Sequence, residues 1–279
     1  MSLKNKKITP KEYGDFRKYL QDACGILLGD GKEYLVESRL NILIHKQPIE
    51  SLSELFNLLY TGRQARLKVA VIDAMTTNET FWFRDMAHFR ILSELIFNEA
   101  ESTMSKSLRI WSAACSSGQE PYTISMEVQS YLSKNPGRLR GGVEVIATDI
   151  STHILEEARR GVYNGMSISR GLNQEQRERF FVKLGDDLAV HPDIKKRVKF
   201  QEINLNNSYD RLGKFDVIFC RNVLIYFSND LKKDILSRMA KALKPGGYLF
   251  LGSTESLTQH SKQFKMVRCH GGIAYQLNQ

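Results

Sequence analysis

A doubly wound, mostly parallel α/β sheet closed by an antiparallel C-terminal strand, preceded by a small all-helical domain, is the fold the sequence predicts. Three observations carry this. From Leu108 onward, apolar strand-like runs alternate with amphipathic helical stretches, the pattern of a parallel sheet covered on both faces. Before Met75 the apolar residues recur only with helical spacing. Near the end, Phe264 to Val267 and Ile273 to Leu277 flank Gly271-Gly272 as a hairpin. The expected organisation is helical over 1–75, a linker over 76–100 and the sheet domain over 101–279. A short β-subdomain is expected to be inserted at about 163–200.

Composition sets the outer bounds. A chain of 279 residues with 42% hydrophobic content can bury a real core, as one large domain or two ordinary ones. No stretch approaches the ~18 apolar residues of a membrane span, and Met-Ser-Leu-Lys-Asn-Lys-Lys at the start lacks a signal peptide's apolar centre, so the cytoplasm is expected. Cys24, Cys115, Cys220 and Cys269 lie far apart with no C-x-x-C pair, which argues against zinc and disulfides and for reduced, buried thiols. The net charge of +9 fits nucleic acid, anionic lipid or an acidic protein as partner, or simply a basic solvated surface.

In chain order, Thr9-Pro10 with Tyr13, Phe16 and Leu20 predicts a capped first helix. Leu35, Leu40, Leu43 and Ile44 suit a second, Ser51-Leu-Ser-Glu54 is a capping box for a third, and Arg63 to Met75 suits a fourth. Their outer face carries Lys32, Arg39, Lys46, Arg63, Arg66 and Lys68, which either solubilise the domain or dock an acidic helix. Thr76 to Thr80 breaks the pattern, and Phe81-Trp-Phe83-Arg84 follows as an interdomain plug or a lid over a ligand.

Leu108 to Trp111 reads as a buried strand entering the slim turn Ala113 to Gly118, with Pro121 in the first turn of the next helix: a nucleotide-binding corner. Val143 to Ala147 is a second strand ending at Asp149, and Thr152 to Arg160 is a helix closed by Gly161. Asp149 suits a ribose contact or a helix cap. Asn173 to Lys183 predicts a helix inside a basic insertion, Val198 to Phe200 and Phe215 to Cys220 are strands, Leu231 to Leu243 a helix ended by Lys244-Pro-Gly-Gly247, and Tyr248 to Leu251 a strand. In a parallel sheet the carboxyl ends of the strands line one crevice, so Ser112 to Gln119, Asp149, Asn204-Leu205 and Arg221-Asn222 should converge there. Only Gly118 is present where a dinucleotide fingerprint needs several glycines, so a sulfonium nucleoside fits better than NAD.

At these residues the sequence closely resembles the bacterial chemotaxis-receptor methyltransferases, S-adenosylmethionine-dependent protein-glutamate O-methyltransferases. The matching motifs are Thr76 to Asp85 (TTNETFWFRD), Trp111 to Tyr122 (WSAACSSGQEPY), Ala147-Thr-Asp149, Phe219 to Phe227 (FCRNVLIYF) and Lys244 to Gly247, spread over nearly the whole chain. The resemblance implies a class I methyltransferase sheet and cofactor contacts from Asn78, Thr80, Arg84, Glu120, Asp149, Asn204, Leu205, Arg221 and Asn222. It turns the aromatic junction from plug to part of the site, with Phe81, Trp82 and Tyr226 near the methyl group and Arg84 and Tyr226 orienting the reactants. It also implies chemotaxis receptors as partners, S-adenosylhomocysteine as product, no metal, and docking through the basic N-terminal helices at Arg39, Lys46, Arg63 and Arg66. The protein is expected to act as a monomer, reaching the membrane only through receptors. Peptide-gripping relatives carry an extra glycine-containing turn that the short loop Lys183 to Leu188 lacks, which leaves a receptor-tail tether unassigned.

Methyl transfer between an ionised glutamate and an activated sulfonium needs alignment more than acid–base groups, so no general base is expected. Because transfer neutralises both charges, a water-poor cleft favours it. Two other functions compete: methylation of nucleic acid, which the charge permits, and a non-catalytic binding module. Against the first, Arg221-Asn-Val-Leu stands where an Asn-Pro-Pro-Tyr motif would, and the insertion lacks aromatics interleaved with its basic residues.

Overall fold

A computed structural model describes residues 7–62, 64–102, 107–257 and 261–278. The helical region holds α1 (Pro10–Cys24), α2 (Glu33–Ile44), α3 (Leu52–Tyr60) and α4 (Ala65–Met75). Thr9 caps α1 in a reciprocal capping box with Glu12, as Pro10 and the apolar stripe predict. The box expected at Ser51 is only half formed: Ser51 accepts from the Glu54 N–H, but the Glu54 carboxylate reaches one residue further back, to the Glu50 N–H at 2.8 Å. The four helices enclose their own core of Tyr13, Phe16, Leu20, Val36, Leu40, Leu55 and Val71.

The linker enters α5 (Met86–Ile91), which continues through a π-helical turn at Leu92–Ile96 into α6 (Phe97–Ser102). The alternating region then gives β1 (Leu108–Ala113), α7 (Gln119–Lys134), β2 (Val143–Asp149), α8 (Thr152–Arg160), β3 (Val162–Tyr163), α9 (Gly165–Ser169), α10 (Gln174–Phe180), β4 (Phe181–Leu184) and β5 (Asp187–Val190). It closes with α11 (Pro192–Lys195), β6 (Val198–Glu202), β7 (Phe215–Cys220), α12 (Asn229–Ala242), β8 (Leu243–Leu251), β9 (Phe264–Cys269) and β10 (Gly272–Leu277). The seven-stranded sheet runs β6-β2-β1-β7-β8-β10-β9, parallel from β6 to β8, with β10 antiparallel to both neighbours. A separate three-stranded sheet, β3-β5-β4, forms the inserted β-subdomain. One face of the large sheet buries Ile110, Val145, Phe219 and Phe250 against α5 to α7, and the other buries Trp111, Ile218 and Leu249 against α12.

Most element boundaries lie within two residues of expectation, and two differences have a pairing cause. The helix expected over Asn173 to Lys183 ends at Phe180, because Phe181–Leu184 pairs with Asp187–Val190 across a turn with Gly185 in the left-handed region. The helix expected through Leu243 ends at Ala242, and Lys244-Pro-Gly-Gly247 lies within β8, where the register against β7 shifts between Phe215 and Val217. Of the cysteines, Cys24, Cys115 and Cys220 are free and buried as expected, whereas Cys269 on β9 is half-exposed. No described helix is long and apolar enough to cross a membrane.

Candidate active-site cleft

Parallel register brings the carboxyl ends of β6, β2, β1 and β7 to one edge, and a cleft opens there against the linker and the loop between α1 and α2. The cofactor contacts expected by resemblance line it, Asn78, Thr80, Arg84, Glu120, Asp149, Asn204, Leu205, Arg221 and Asn222, and so does Tyr226. The backbone is strained around it. Ala114, Ser116 and Asn222 line the cleft, and Phe83 and Asp85 flank Arg84, all with φ between 51° and 57°. Non-glycine residues held in that region mark a geometry imposed by the surroundings.

Asp149 ends β2 fully within the structure rather than capping α8; Ser151 is the cap. Its two oxygens accept the Ser116 N–H at 2.8 Å and the Ser151 N–H at 3.0 Å. Burial raises its pKa, opposed by hydrogen bonds from the Ser151, Ser116 and Ile150 amides. Arg221, with 2% of its side chain exposed, bridges two carboxylates: Glu120 Oε2 at 2.8 Å and Asp85 Oδ2 at 2.6 Å. It also donates to the Arg84 carbonyl at 2.6 Å, and Glu120 Oε1 accepts from Ser112 Oγ at 2.7 Å. Behind this group His88 is buried, and desolvation with the Arg221 charge pushes its pKa down to about 4, so it is neutral near pH 7.

The three linker aromatics part company. Phe81 faces the cleft, with the Arg84 and Arg170 guanidinium carbons 5.2 Å and 4.0 Å from its ring centroid. Trp82 does not reach the cleft, contrary to expectation: it is fully buried, set edge-on to Tyr163 and Phe181, and donates to the Ser167 carbonyl at 2.8 Å. Its bulk is what the inserted subdomain packs around, and a Cβ on Gly171 would lie 2.0 Å from the Trp82 oxygen. Gly118 is likewise a packing glycine, since a Cβ there would meet Ala158, Tyr163 and Tyr122 at 3.1 to 3.2 Å. The slim turn presents Ala114, Cys115 and Ser116 to the cleft instead.

The helical domain supplies a wall that sequence reasoning missed: Ile26, Leu27, Leu28, Lys32 and Leu35 line the cleft. Leu27 N–H donates to the Tyr226 carbonyl at 2.8 Å, and Asn204 Nδ2 donates to the Ala23 carbonyl at 2.7 Å. Gly25 ends α1 in the left-handed region with φ 79°, and a Cβ there would lie 2.4 Å from Leu231 Cδ2, so the loop packs closely on α12. Of the expected docking residues, Lys46 and Arg66 are exposed, and Arg63 lies outside the described residues. Arg39 is placed differently: it lines the cleft, and its guanidinium is held by the Met75 and Thr76 carbonyls and by Thr77 Oγ1 at 2.6 to 2.9 Å.

These groups fit a nucleoside with a charged amino-acid tail. Asp149 retains lone pairs for hydroxyls, and Arg221 Nε is a buried donor without a partner among the described residues. Asn204 Nδ2 donates to the Ala23 carbonyl and Oδ1 accepts the Asn206 N–H, which fixes the side chain while leaving a second amide N–H and a second oxygen lone pair for a ligand.

Comparison with known proteins agrees. The model of the CheR methyltransferase SAM binding domain matches residues 78–273, and that of the CheR methyltransferase all-alpha domain matches 11–76. Chemotaxis protein methyltransferase 1 of Vibrio cholerae is 49% identical over 271 residues, covering 97% of this chain and 98% of its own length. Chemotaxis protein methyltransferase 1 of Pseudomonas aeruginosa is 49% identical over 262 residues, covering 93% of this chain and 95% of its own. The chemotaxis protein methyltransferase of Salmonella typhimurium is 35% identical over 259 residues, covering 90% and 86%. The chain belongs to the CheR family of chemotaxis protein methyltransferases.

Proposed function

We propose that the protein transfers the methyl group of S-adenosylmethionine to glutamate side chains of chemotaxis-receptor helices, releasing S-adenosylhomocysteine. The observation that supports this most is the convergence of polar residues from the linker and four strand ends on one cleft with an apolar opposite wall. The bound cofactor supplies an electrophilic methyl already activated by the sulfonium charge. The chain's own residues bind and orient. Asp149 takes the ribose hydroxyls, and Asn204 and Leu205 border the base. Asn78, Thr80, Glu120, Arg221 and Asn222 hold the remainder. Leu27, Leu28, Phe81 and Phe227 exclude water, which leaves a substrate carboxylate poorly hydrated and more nucleophilic.

Arg84, from the linker, and Tyr226, after β7, line the same cleft and orient the cofactor and the incoming carboxylate. Lys46 and Arg66, exposed on the helical domain, give an acidic receptor helix a complementary face, and the protein works as a monomer. Incubation with labelled cofactor and receptor cytoplasmic fragments, beside RNA and DNA, tests the reading. Base-labile label on the receptor, lost in Arg84→Ala, is the expected result. Label on nucleic acid would favour the competing methyltransferase class, and no cofactor binding at all would leave a non-catalytic module.

A further inference from the structure

Asn222 lines the cleft with φ 57°, in the left-handed region that asparagine enters more readily than other non-glycine residues. Its N–H donates to Glu255 Oε2 at 2.8 Å, and the same oxygen accepts the Gly252 N–H at 2.8 Å. One carboxylate oxygen thus ties the segment after β7 to the segment after β8. Glu255 does not line the cleft; it lines the neighbouring pocket, and its Oε1 is buried without a partner among the described residues. An orphaned carboxylate oxygen costs stability, so the value of this side chain lies in what Oε2 does. Gly252 completes the arrangement. A Cβ there would lie 2.7 Å from Asn222 Nδ2, 3.0 Å from its Cγ and 2.9 Å from Glu255 Oε2. Its φ is not left-handed, so space and not backbone conformation requires the glycine.

Strand order says which part of the ligand this affects. Asp149 ends β2 and Leu205 follows β6, whereas Asn222 follows β7, on the other side of β1. Two strand spacings separate β2 from β7, about 10 Å. That is the span from a ribose to the amino-acid tail of an adenosyl amino acid. We infer that Glu255 is a positioning residue, acting with Gly252 through Asn222 to bind the amino-acid end of the cofactor. This rests on the cofactor named under Proposed function.

Calorimetric affinities for S-adenosylhomocysteine and for 5′-methylthioadenosine, which keeps the adenosine and thioether but lacks the amino acid, test it. Glu255→Ala should weaken S-adenosylhomocysteine about tenfold, the loss of charge-assisted bonds, and leave methylthioadenosine within about twofold. Glu255→Gln, whose amide oxygen accepts from both N–H groups, should restore most of the affinity. Gly252→Ala, which keeps Glu255 and pushes on the Asn222 amide, should reproduce the selective loss. A parallel loss of both ligands, as a merely structural role gives, would overturn the inference, as would unchanged S-adenosylhomocysteine affinity in both Glu255→Ala and Gly252→Ala. Failure of the unaltered protein to bind either ligand would overturn the cofactor assignment itself.

Discussion

The two walls of the cleft are built by different physics. The strand-end wall carries Asp149, Arg221 and Asn222, whose positions follow from a hydrogen-bonded ladder with Ser112 opposite Ala147 and Phe219 and Ala113 opposite Thr148 and Cys220, and Glu120 from the first turn of α7 beside them. A shift of that wall would break the sheet. The helical wall carries Ile26, Leu27, Leu28 and Leu35, and its tie to the sheet domain includes the Leu27 to Tyr226 bond, the Asn204 to Ala23 bond and the packing of Gly25 on Leu231. Polar recognition sits on the wall built by strand pairing, and apolar cover sits on the wall held by a domain junction. The linker is shared by both: Arg39 clamps its start from the helical side, and Arg221 takes the Arg84 carbonyl from the sheet side.

The contrast can be broken by mutation. The largest effect should come from Trp82→Ala, which empties a fully buried site between linker and inserted subdomain and should cost about 3–5 kcal/mol in urea unfolding. Its neighbour Phe81→Ala, at the half-buried cleft edge, should leave the urea midpoint nearly unchanged and slow methyl transfer about tenfold. Asp149→Ala should raise the S-adenosylhomocysteine Kd about 100-fold by calorimetry, since the ribose acceptor and the anchor of the Ser116 and Ser151 amides go together. Gly25→Ala puts a side chain in the left-handed region and 2.4 Å from Leu231 Cδ2, so a stability loss of about 2 kcal/mol, with weaker cofactor binding, is expected from paired urea and calorimetric titrations. If cofactor affinity is untouched, the helical wall is not part of the binding surface. The smallest effect belongs to Lys46→Glu with Arg66→Glu: initial methylation of receptor fragments should fall about tenfold at low salt and much less at high salt, with cofactor affinity unchanged.

Much of the rigid wall was legible in the residues. Period-two apolar runs ending in Asp149 and Arg221-Asn222 give the strands and their polar ends, and parallel order brings those ends together. The helical wall was not legible, because Ile26 to Leu28 is an apolar loop with no periodicity, and only docking against Tyr226 and Leu231 gives it a role. The run Phe81-Trp-Phe83 shows the same limit. Adjacent residues of one chemical type read as sharing one location, but Phe81 lines the cleft while Trp82 is fully buried against Tyr163 and Phe181 of the inserted subdomain, a contact made only in the folded chain. Arg39 read as surface charge because nothing local to α2 reveals the carbonyls at Met75 and Thr76 that capture it.

By itself, then, the amino-acid order determined the elements, the parallel sheet behind a helical domain, the family, and the set of polar residues brought to one edge, because period, caps and strand ends are local properties. Only the tertiary structure decided which of those side chains remain free for a ligand. Arg221 pairs with Glu120 and Asp85 but keeps its Nε free among the described residues, Asn204 is fixed by the Ala23 carbonyl, and Glu255 bonds to Asn222 across 33 residues, and such pairings between distant segments exist only once the chain has closed on itself.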